Sequence, residues 1–412
     1  MRPLTGPRLT GLLCTVEVLT MLGFSAYAVL LWPLRDAWDL TNAQAGWIGG
    51  AYFAGYTVAV PVLVTLTDRM DARRIWLAGA LLAVTGNAGF AAFADGFWSA
   101  VAFHALAGAG LAGTYMPGLR LLTDRMSGRD QSRAVGFYTA SFGIGTAASY
   151  LIADWVAEAV GWRAAFAVPA GATLLAMLLV LMFIHGSRPP GGAAGRLLDF
   201  RPVLRNRNAI VYSIAYFSHS FELYTVRAWI VAFLTFAGTG SAAAGGLAAP
   251  ANVAFGMALL GIGSIVMGSE SAIRFGRKRT VRTVMAVSAG TGVLLGATHG
   301  DYSLAVLIAL VYGMLLTAES AALTAGAIGN AAPGQRGATI AVHSMIGFAG
   351  GIFGPAIFGW VLDLMGGAAQ PGAWIASFCV LAAVTLVGPA LILMARPAEL
   401  PGDGRSGTRS RR

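Results

Sequence analysis

The sequence of 412 residues is 57% hydrophobic and 11% charged, with a formal net charge of +10. So small a polar fraction excludes a water-soluble globule, and apolar runs long enough to cross about 30 Å of hydrocarbon as helices exclude the short alternating strands of an outer-membrane barrel. The basic residues sit in short loops between these runs rather than on one patch, which excludes a nucleic-acid-binding face and leaves an all-α membrane protein.

Residues 10–31 make the first span. Ala26-Tyr27-Ala28 has the form of a signal-peptidase site, but Glu17 interrupts the apolar region ahead of it and the run continues past it to full length. Further spans are expected at 45–66, 75–94, 98–121, 133–157 and 163–185, completing an N-terminal six-helix bundle over residues 1–186. Residues 187–208 read as a cytoplasmic linker, because Pro189-Pro190-Gly191-Gly192 and Arg188, Arg196, Arg201, Arg205 and Arg207 are too polar and too punctuated to cross lipid. Six more spans, at 209–236, 248–272, 281–298, 302–324, 337–362 and 372–395, make a C-terminal bundle over 209–395, and the basic tail 396–412 reads as disordered.

With both termini in the cytoplasm, every Lys and Arg except Arg35, Arg163 and Arg227 falls at cytoplasmic ends or loops. The positive-inside rule therefore orients the chain, as a multi-pass protein of a bacterial inner membrane with an even number of spans. Every Trp except Trp76 falls toward the opposite side, where an interfacial belt would place it. Cys14 and Cys379 lie in apolar runs and read as small buried hydrophobes.

Short echoes connect the two bundles. Gln131-Ser132-Arg133-Ala134 leads into a fifth span with Gly136, Gly143 and Gly145, and Gln335-Arg336-Gly337-Ala338 leads into an eleventh with Gly347, Gly350, Gly351 and Gly354. The loop after the second span reads Leu66-Thr67-Asp68-Arg69-Met70-Asp71-Ala72-Arg73-Arg74, and the loop after the eighth contains Glu270-Ser271-Ala272-Ile273-Arg274-Phe275-Gly276-Arg277-Lys278-Arg279. In these features the chain resembles the major facilitator superfamily of transporters, which carries Gly-x-Leu-x-Asp-Arg-x-Gly-Arg-Arg in the first of these loops.

The resemblance implies a twelve-helix fold of two pseudo-symmetric bundles and a cytoplasmic gate. Asp68, Arg69 and Arg73 would form it in one half, and Arg274, Gly276 and Arg277 in the other, with Glu270 standing in for an aspartate that Ile273 replaces. Val64 and Asp71 depart from the two glycines of the pattern. His104 occupies the place of an arginine found in proton-coupled drug exporters, and Gly145-Thr146-Ala147-Ala148-Ser149 lacks their proline, which appears instead in Gly350-Gly351-Ile352-Phe353-Gly354-Pro355.

Charged and titratable groups inside a span mark an interior that faces protein or water, because a charge at the bilayer centre costs roughly 2.5 to 3.5 kcal/mol. The run from Ser218 to Trp229 holds His219, Glu222 and Arg227, at depths of about 15, 20 and 27 Å from Ala209. At about 100° per residue Glu222 lies 60° to one side of His219 and Arg227 80° to the other, so the three are expected to border one cavity without Glu222 and Arg227 pairing directly. The family's seventh helix lines the central cavity, which makes this run the first candidate for substrate or proton contact. Glu17, Glu319, His104 and His343 are further candidates, and Tyr27, Tyr52, Tyr56 and Tyr115 are candidate cavity linings.

The sequence holds neither a Walker lysine loop, nor a metal-spaced His/Cys cluster, nor a serine nucleophile elbow, so no cofactor, metal or enzymatic reaction is expected. The expected function is secondary active transport of a small polar or anionic solute by alternating access, coupled to protons, by a monomer in a lipid bilayer. Two alternatives stay open at this stage: a proton-coupled exporter of lipophilic or cationic compounds, and a transporter-like receptor or assembly factor.

Overall fold

In the computed structural model the described residues are 6–67, 69–126, 128–186, 200–333, 335–398, 400 and 403; they form helices joined by short turns, with no strand among them. In chain order the helices are α1 (Gly6–Met21), α2 (Ala26–Val29), α3 (Leu31–Ala37), α4 (Asn42–Leu66), α5 (Ala72–Phe93), α6 (Phe97–Thr123), α7 (Gly128–Val160), α8 (Trp162–Phe183), α9 (Arg201–Leu204), α10 (Arg207–Ala237), α11 (Pro250–Phe275), α12 (Arg277–Ala297), α13 (Tyr302–Ala318), α14 (Ser320–Gly329), α15 (Arg336–Leu364) and α16 (Pro371–Ala395). With α1 and α2 taken together, and α13 with α14, 10 stretches among the described residues are long and apolar enough to cross a membrane. The expected spans 98–121 and 133–157 are helices of 27 and 33 residues, α6 and α7, that fall outside this set. His104, Thr114 and several glycines dilute α6, and α7 carries Asp130 and Arg133 near one end and Asp154 and Glu158 near the other.

Two expected continuous spans are broken. The first stops at Met21 and resumes at Ala26, leaving backbone groups without helical partners. There the N–H of Ser25 donates to Ser149 Oγ at 3.0 Å, and Gly23 lies so close to Asn87 and Pro169 that a Cβ would sit 3.0 and 3.1 Å from their side chains. The tenth breaks at Glu319, between α13 and α14. It is backed by α11, where Thr317 Oγ1 donates to Gly261 O at 2.9 Å and Gly268 lies directly against Ala318 O. Irregular backbone at membrane depth is tolerated where protein takes up its polar groups in this way.

The segments before and after residues 187–199 meet along α4 and α15. Backbones touch on this seam: a Cβ on Gly46 would overlap Pro355 O, one on Gly50 would overlap Ile352 O, and one on Gly359 would overlap Asn42 O. Small residues permit such an approach between membrane helices. Asp363, near the end of α15, closes the seam. Its Oδ1 accepts from Asn42 N–H at 3.1 Å and Asn42 Nδ2 at 2.7 Å, and its Oδ2 accepts from Ala43 N–H at 2.8 Å. A carboxylate of one half thus caps the unpaired N–H groups and positive dipole end of a helix of the other.

Beside this cap, Trp32 Nε1 donates to Ala232 O at 3.0 Å, and the rings of Trp32, Trp229 and Trp374 meet edge to face with centroids 6.1 to 6.2 Å apart. Trp229 and Trp374 are fully buried. The tryptophan belt expected at the lipid interface is therefore partly the core that holds this end of the molecule shut; Trp47, Trp98, Trp155 and Trp360 are its exposed members.

Replacing Asp363 by Ala removes two acceptor oxygens and three charge-assisted hydrogen bonds, a loss of about 2 kcal/mol that favours opening at this end by roughly thirtyfold. Spin labels at Thr41→Cys and Leu364→Cys, both exposed and flanking the cap, should report a longer distance population in Asp363→Ala and in Gly46→Ala, with Cys14 and Cys379 replaced. Unchanged distance distributions would remove Asp363 from the role of a latch.

Candidate functional site

From Ala209 to Ala237, α10 is buried on nearly every face, so its polar side chains must be taken up by neighbouring helices. His219 Nδ1 lies 2.8 Å from Glu319 Oε1, both side chains buried, at the break between α13 and α14. The His219 ring stacks near Tyr216 at 5.3 Å, Tyr216 stacks on His343 at 4.3 Å, and His343 contacts Ser213 Oγ and Thr324 Oγ1 at 3.2 Å each. Glu222 turns instead toward α12 and α13, where its Oε1 accepts from Ser288 Oγ and Tyr312 OH at 2.9 Å each.

Arg227 alone of the three faces the first half of the chain. The expectation that His219, Glu222 and Arg227 border one cavity is therefore corrected: because α10 is enclosed all round, angular offsets of about 60° and 80° are enough to hand each side chain to a different neighbour.

Arg227 and Tyr150 line two adjoining cavities. One is open at its mouth, and His104, Tyr27, Tyr52, Phe24 and Tyr224 share it with Arg227. The other continues past Arg227 toward Met257 and Thr317. The guanidinium carbon lies 5.7 Å from the centre of the Phe24 ring and 5.8 Å from that of Tyr224, within cation–π range. Among the described residues no carboxylate pairs with it. Its backbone oxygen accepts from Tyr150 OH at 3.1 Å, which holds α7 to α10 beside the cavity.

His104, on α6, is buried with Nδ1 2.7 Å from Ile48 O, and Tyr27, Tyr52 and Phe90 surround its ring at centroid distances of 5.3, 5.1 and 6.0 Å. Tyr27 OH donates to Ala45 O at 2.9 Å. Tyr56 lies further along the interface, against Phe348 at 4.3 Å. Glu17 and Tyr115 belong to a separate network inside the first half, with Glu17 Oε2 2.7 Å from Tyr138 OH and the Tyr115 ring stacked over that of Tyr138 at 5.9 Å. Phe24 and Tyr150 were missed by the sequence reading, which treated the first span as continuous. Gly23 and Ser25 within that apolar run were the available signal for a break.

Of the expected gate, Asp68 lies outside the described residues. Arg69, Glu270 and Arg274 are exposed, and the Arg274 guanidinium lies 5.2 Å from the Phe275 ring centre. Arg73 Nη2 donates to Leu181 O at 3.0 Å. Asp71, which departs from the family's glycine, caps α5 by accepting from the Arg73 N–H at 3.0 Å. Gly276 turns between α11 and α12 at a φ of +93°, where a side chain would be strained.

Arg277 takes its carboxylate from Asp403, with Nε 2.8 Å from Oδ2 and Nη2 3.0 Å from Oδ1, while Nη1 donates to Ala322 O at 2.8 Å. Leu400 packs on Gly329 and Ala398 O accepts from Asn330 Nδ2 at 3.3 Å, so the near part of the stretch expected as a disordered tail is docked.

Residues 13–272 match the Major Facilitator Superfamily. Over 235 residues, 55% of this chain and 47% of the relative, the sequence is 24% identical to Protein spinster homolog 3 of Danio rerio. Over 154 residues, 37% of this chain and 34% of the relative, it is 27% identical to the 4-hydroxybenzoate transporter PcaK of Acinetobacter baylyi. The chain spans about half the length, or less, of the curated relatives it matches. The fold is similar, with a TM-score of 0.78 at 15% identity over 95% of this chain and 97% of the other, to a bacterial homolog of the human lysosomal transporter Spinster in an inward-facing and occupied conformation. With a match across more than half its length and multiple apolar helices in this arrangement, the chain belongs to the major facilitator superfamily, a family of multi-pass membrane transporters rather than enzymes.

Proposed function

We propose that the protein is a secondary active transporter that carries a small organic anion across a bacterial inner membrane by alternating access. Two six-helix bundles, 1–186 and 209–395, rock about the cavity beside Arg227, and the count of twelve crossings includes α6 and α7. The arginine-rich ends and both termini face the cytoplasm under the positive-inside rule. The cap of Asp363 on α4 and the Trp32–Ala232 bond both lie at the opposite end, which supports reading this conformation as inward-facing.

The observation that carries the anionic reading is Arg227: a guanidinium in an aromatic cavity, with no carboxylate of the described chain to neutralise it. An arginine so placed gains its counter-charge from a ligand. The exporter of cationic compounds is weaker, because Glu17, Glu222 and Glu319 each bond within their own half, to Tyr138, to Ser288 and Tyr312, and to His219. The name of the relative PcaK, a 4-hydroxybenzoate transporter, also points to an organic anion.

Proton coupling is assigned to the His219–Glu319 pair, since an imidazole and a carboxylate 2.8 Å apart at a helix break can exchange a proton as the break flexes.

Two measurements bear on this reading. In a thermal-shift panel of aromatic and aliphatic carboxylates, phosphate monoesters and quaternary ammonium ions, the anions should stabilise the protein. Arg227→Ala should lower their affinity by about a hundredfold and Arg227→Lys by about tenfold; stabilisation by the cations alone, indifferent to Arg227, would reverse the assignment. In proteoliposomes Glu319→Gln should lose accumulation driven by a pH gradient while retaining counterflow exchange, and full gradient-driven accumulation in that variant would end its coupling role.

A further inference from the structure

His104 offers a second, directional contact on the cavity that holds Arg227. Its Nδ1 lies 2.7 Å from Ile48 O, and a backbone carbonyl can only accept, so the proton of this hydrogen bond sits on Nδ1. Nε2 is buried and has no hydrogen-bond partner, in a side chain only 5% exposed that lines the cavity. No carboxylate lines this cavity to balance an imidazolium, and Arg227 already brings a positive charge to it. The ring is therefore taken as neutral, with Nε2 a bare lone pair. A buried acceptor left in that state costs about 1 to 3 kcal/mol until a donor reaches it.

None of the other lining side chains, the hydroxyls of Tyr52 and Tyr224 included, donates to Nε2 in the geometry present. Tyr27 spends its hydroxyl proton on Ala45 O at 2.9 Å, and Tyr150 spends its own on Arg227 O at 3.1 Å. Phe24 contributes only ring surface. The cavity thus presents donors for an anion on α10, an acceptor on α6, and around them aromatic faces that include the hydroxyl-bearing rings of Tyr52 and Tyr224.

We infer that this cavity selects a hydroxylated organic anion, whose acidic group meets Arg227 and whose hydroxyl donates to His104 Nε2. The inference rests on the reading of this cavity as the transport site. His104 is then a specificity-determining residue, and a consequence follows from its position. His104 belongs to the first half of the chain and Arg227 to the second, so a ligand that engages both ties the halves together, whereas one lacking the hydroxyl holds only the second.

The test uses the full-length protein in detergent and isothermal titration with matched acids: benzoate against 3- and 4-hydroxybenzoate, 3-phenylpropanoate against its ring-hydroxylated forms, and 4-methoxybenzoate as a hydroxyl-free control of similar shape. At least one hydroxylated acid should bind about tenfold or more tightly than its parent, and the methyl ether, which can accept but not donate, should bind no better than benzoate. His104→Phe should bring the ratio between hydroxylated and parent acid to about one. His104→Gln, whose amide can donate to Ile48 O and offer an oxygen to the cavity, should restore part of the preference. Arg227→Ala should weaken parent and hydroxylated acids alike.

A ratio near one in the native protein, or a preference unchanged in both His104 variants, overturns the inference while leaving the anion site standing if Arg227→Ala still abolishes binding. If none of the acids binds, or if binding is indifferent to Arg227, the transport-site reading falls and this inference with it.

Discussion

The contact on which the arrangement depends is the backbone-to-backbone seam of α4 and α15. Lipid tails are as apolar as leucine, so burial alone gives membrane helices little reason to associate, and close packing must do it. Gly46, Gly50 and Gly359 provide it, since any Cβ there would meet a main-chain oxygen of the other helix. Glycine alone would leave the seam non-directional. Asp363 adds direction by capping the start of α4, and Trp32 with Trp229 and Trp374 fills the space beside it.

A second regularity separates groups that hold the structure from groups that face a ligand. Glu17 and Glu222 each place one carboxylate oxygen on hydroxyls from helices of their own half, and His219 and Glu319 pair through one atom each, although Glu17 Oε1, Glu222 Oε2, His219 Nε2 and Glu319 Oε2 have no hydrogen-bond partner. Such bonds survive any rigid-body movement of one half against the other. Arg227 and the free nitrogen of His104 lie between halves and have no such insurance. A buried acceptor left unpaired, as His104 Nε2 is, costs about 1 to 3 kcal/mol, and an exchangeable partner is a physical means of meeting it.

Most of the helices were legible in the sequence because each needs only length and apolarity, and 10 meet that standard in the fold. The resemblance carried the family and the all-helical membrane fold for the same reason. The breaks at 22–25 and at Glu319 were not legible, because an apolar run reads the same whether it is straight or interrupted, and what permits the interruption is Ser149 or α11, far away in sequence. The orientation of α10 was unreadable in a different way. Helical spacing fixes angles between His219, Glu222 and Arg227 but not which neighbour stands at each angle. At Asp71 a helix cap stands where the family's pattern has a glycine. Asp403, carried in a stretch of low-complexity sequence, had no local signal for its pairing with Arg277.

On the transporter reading, α10 joins the two kinds of group. Arg227 and His219 are eight residues apart, about 12 Å along one helix, so a ligand drawn to the guanidinium acts on the same rigid element that supports the His219–Glu319 pair. The other side of that pair sits on the joint between α13 and α14, where the ladder is interrupted and small displacements cost least. Coupling between the sites then needs no long chain of contacts. It requires only that the ligand favour one position of α10 relative to α13 and α14, and that the proton favour the other, because a ligand shifts a two-state equilibrium by no more than its differential affinity for the two states.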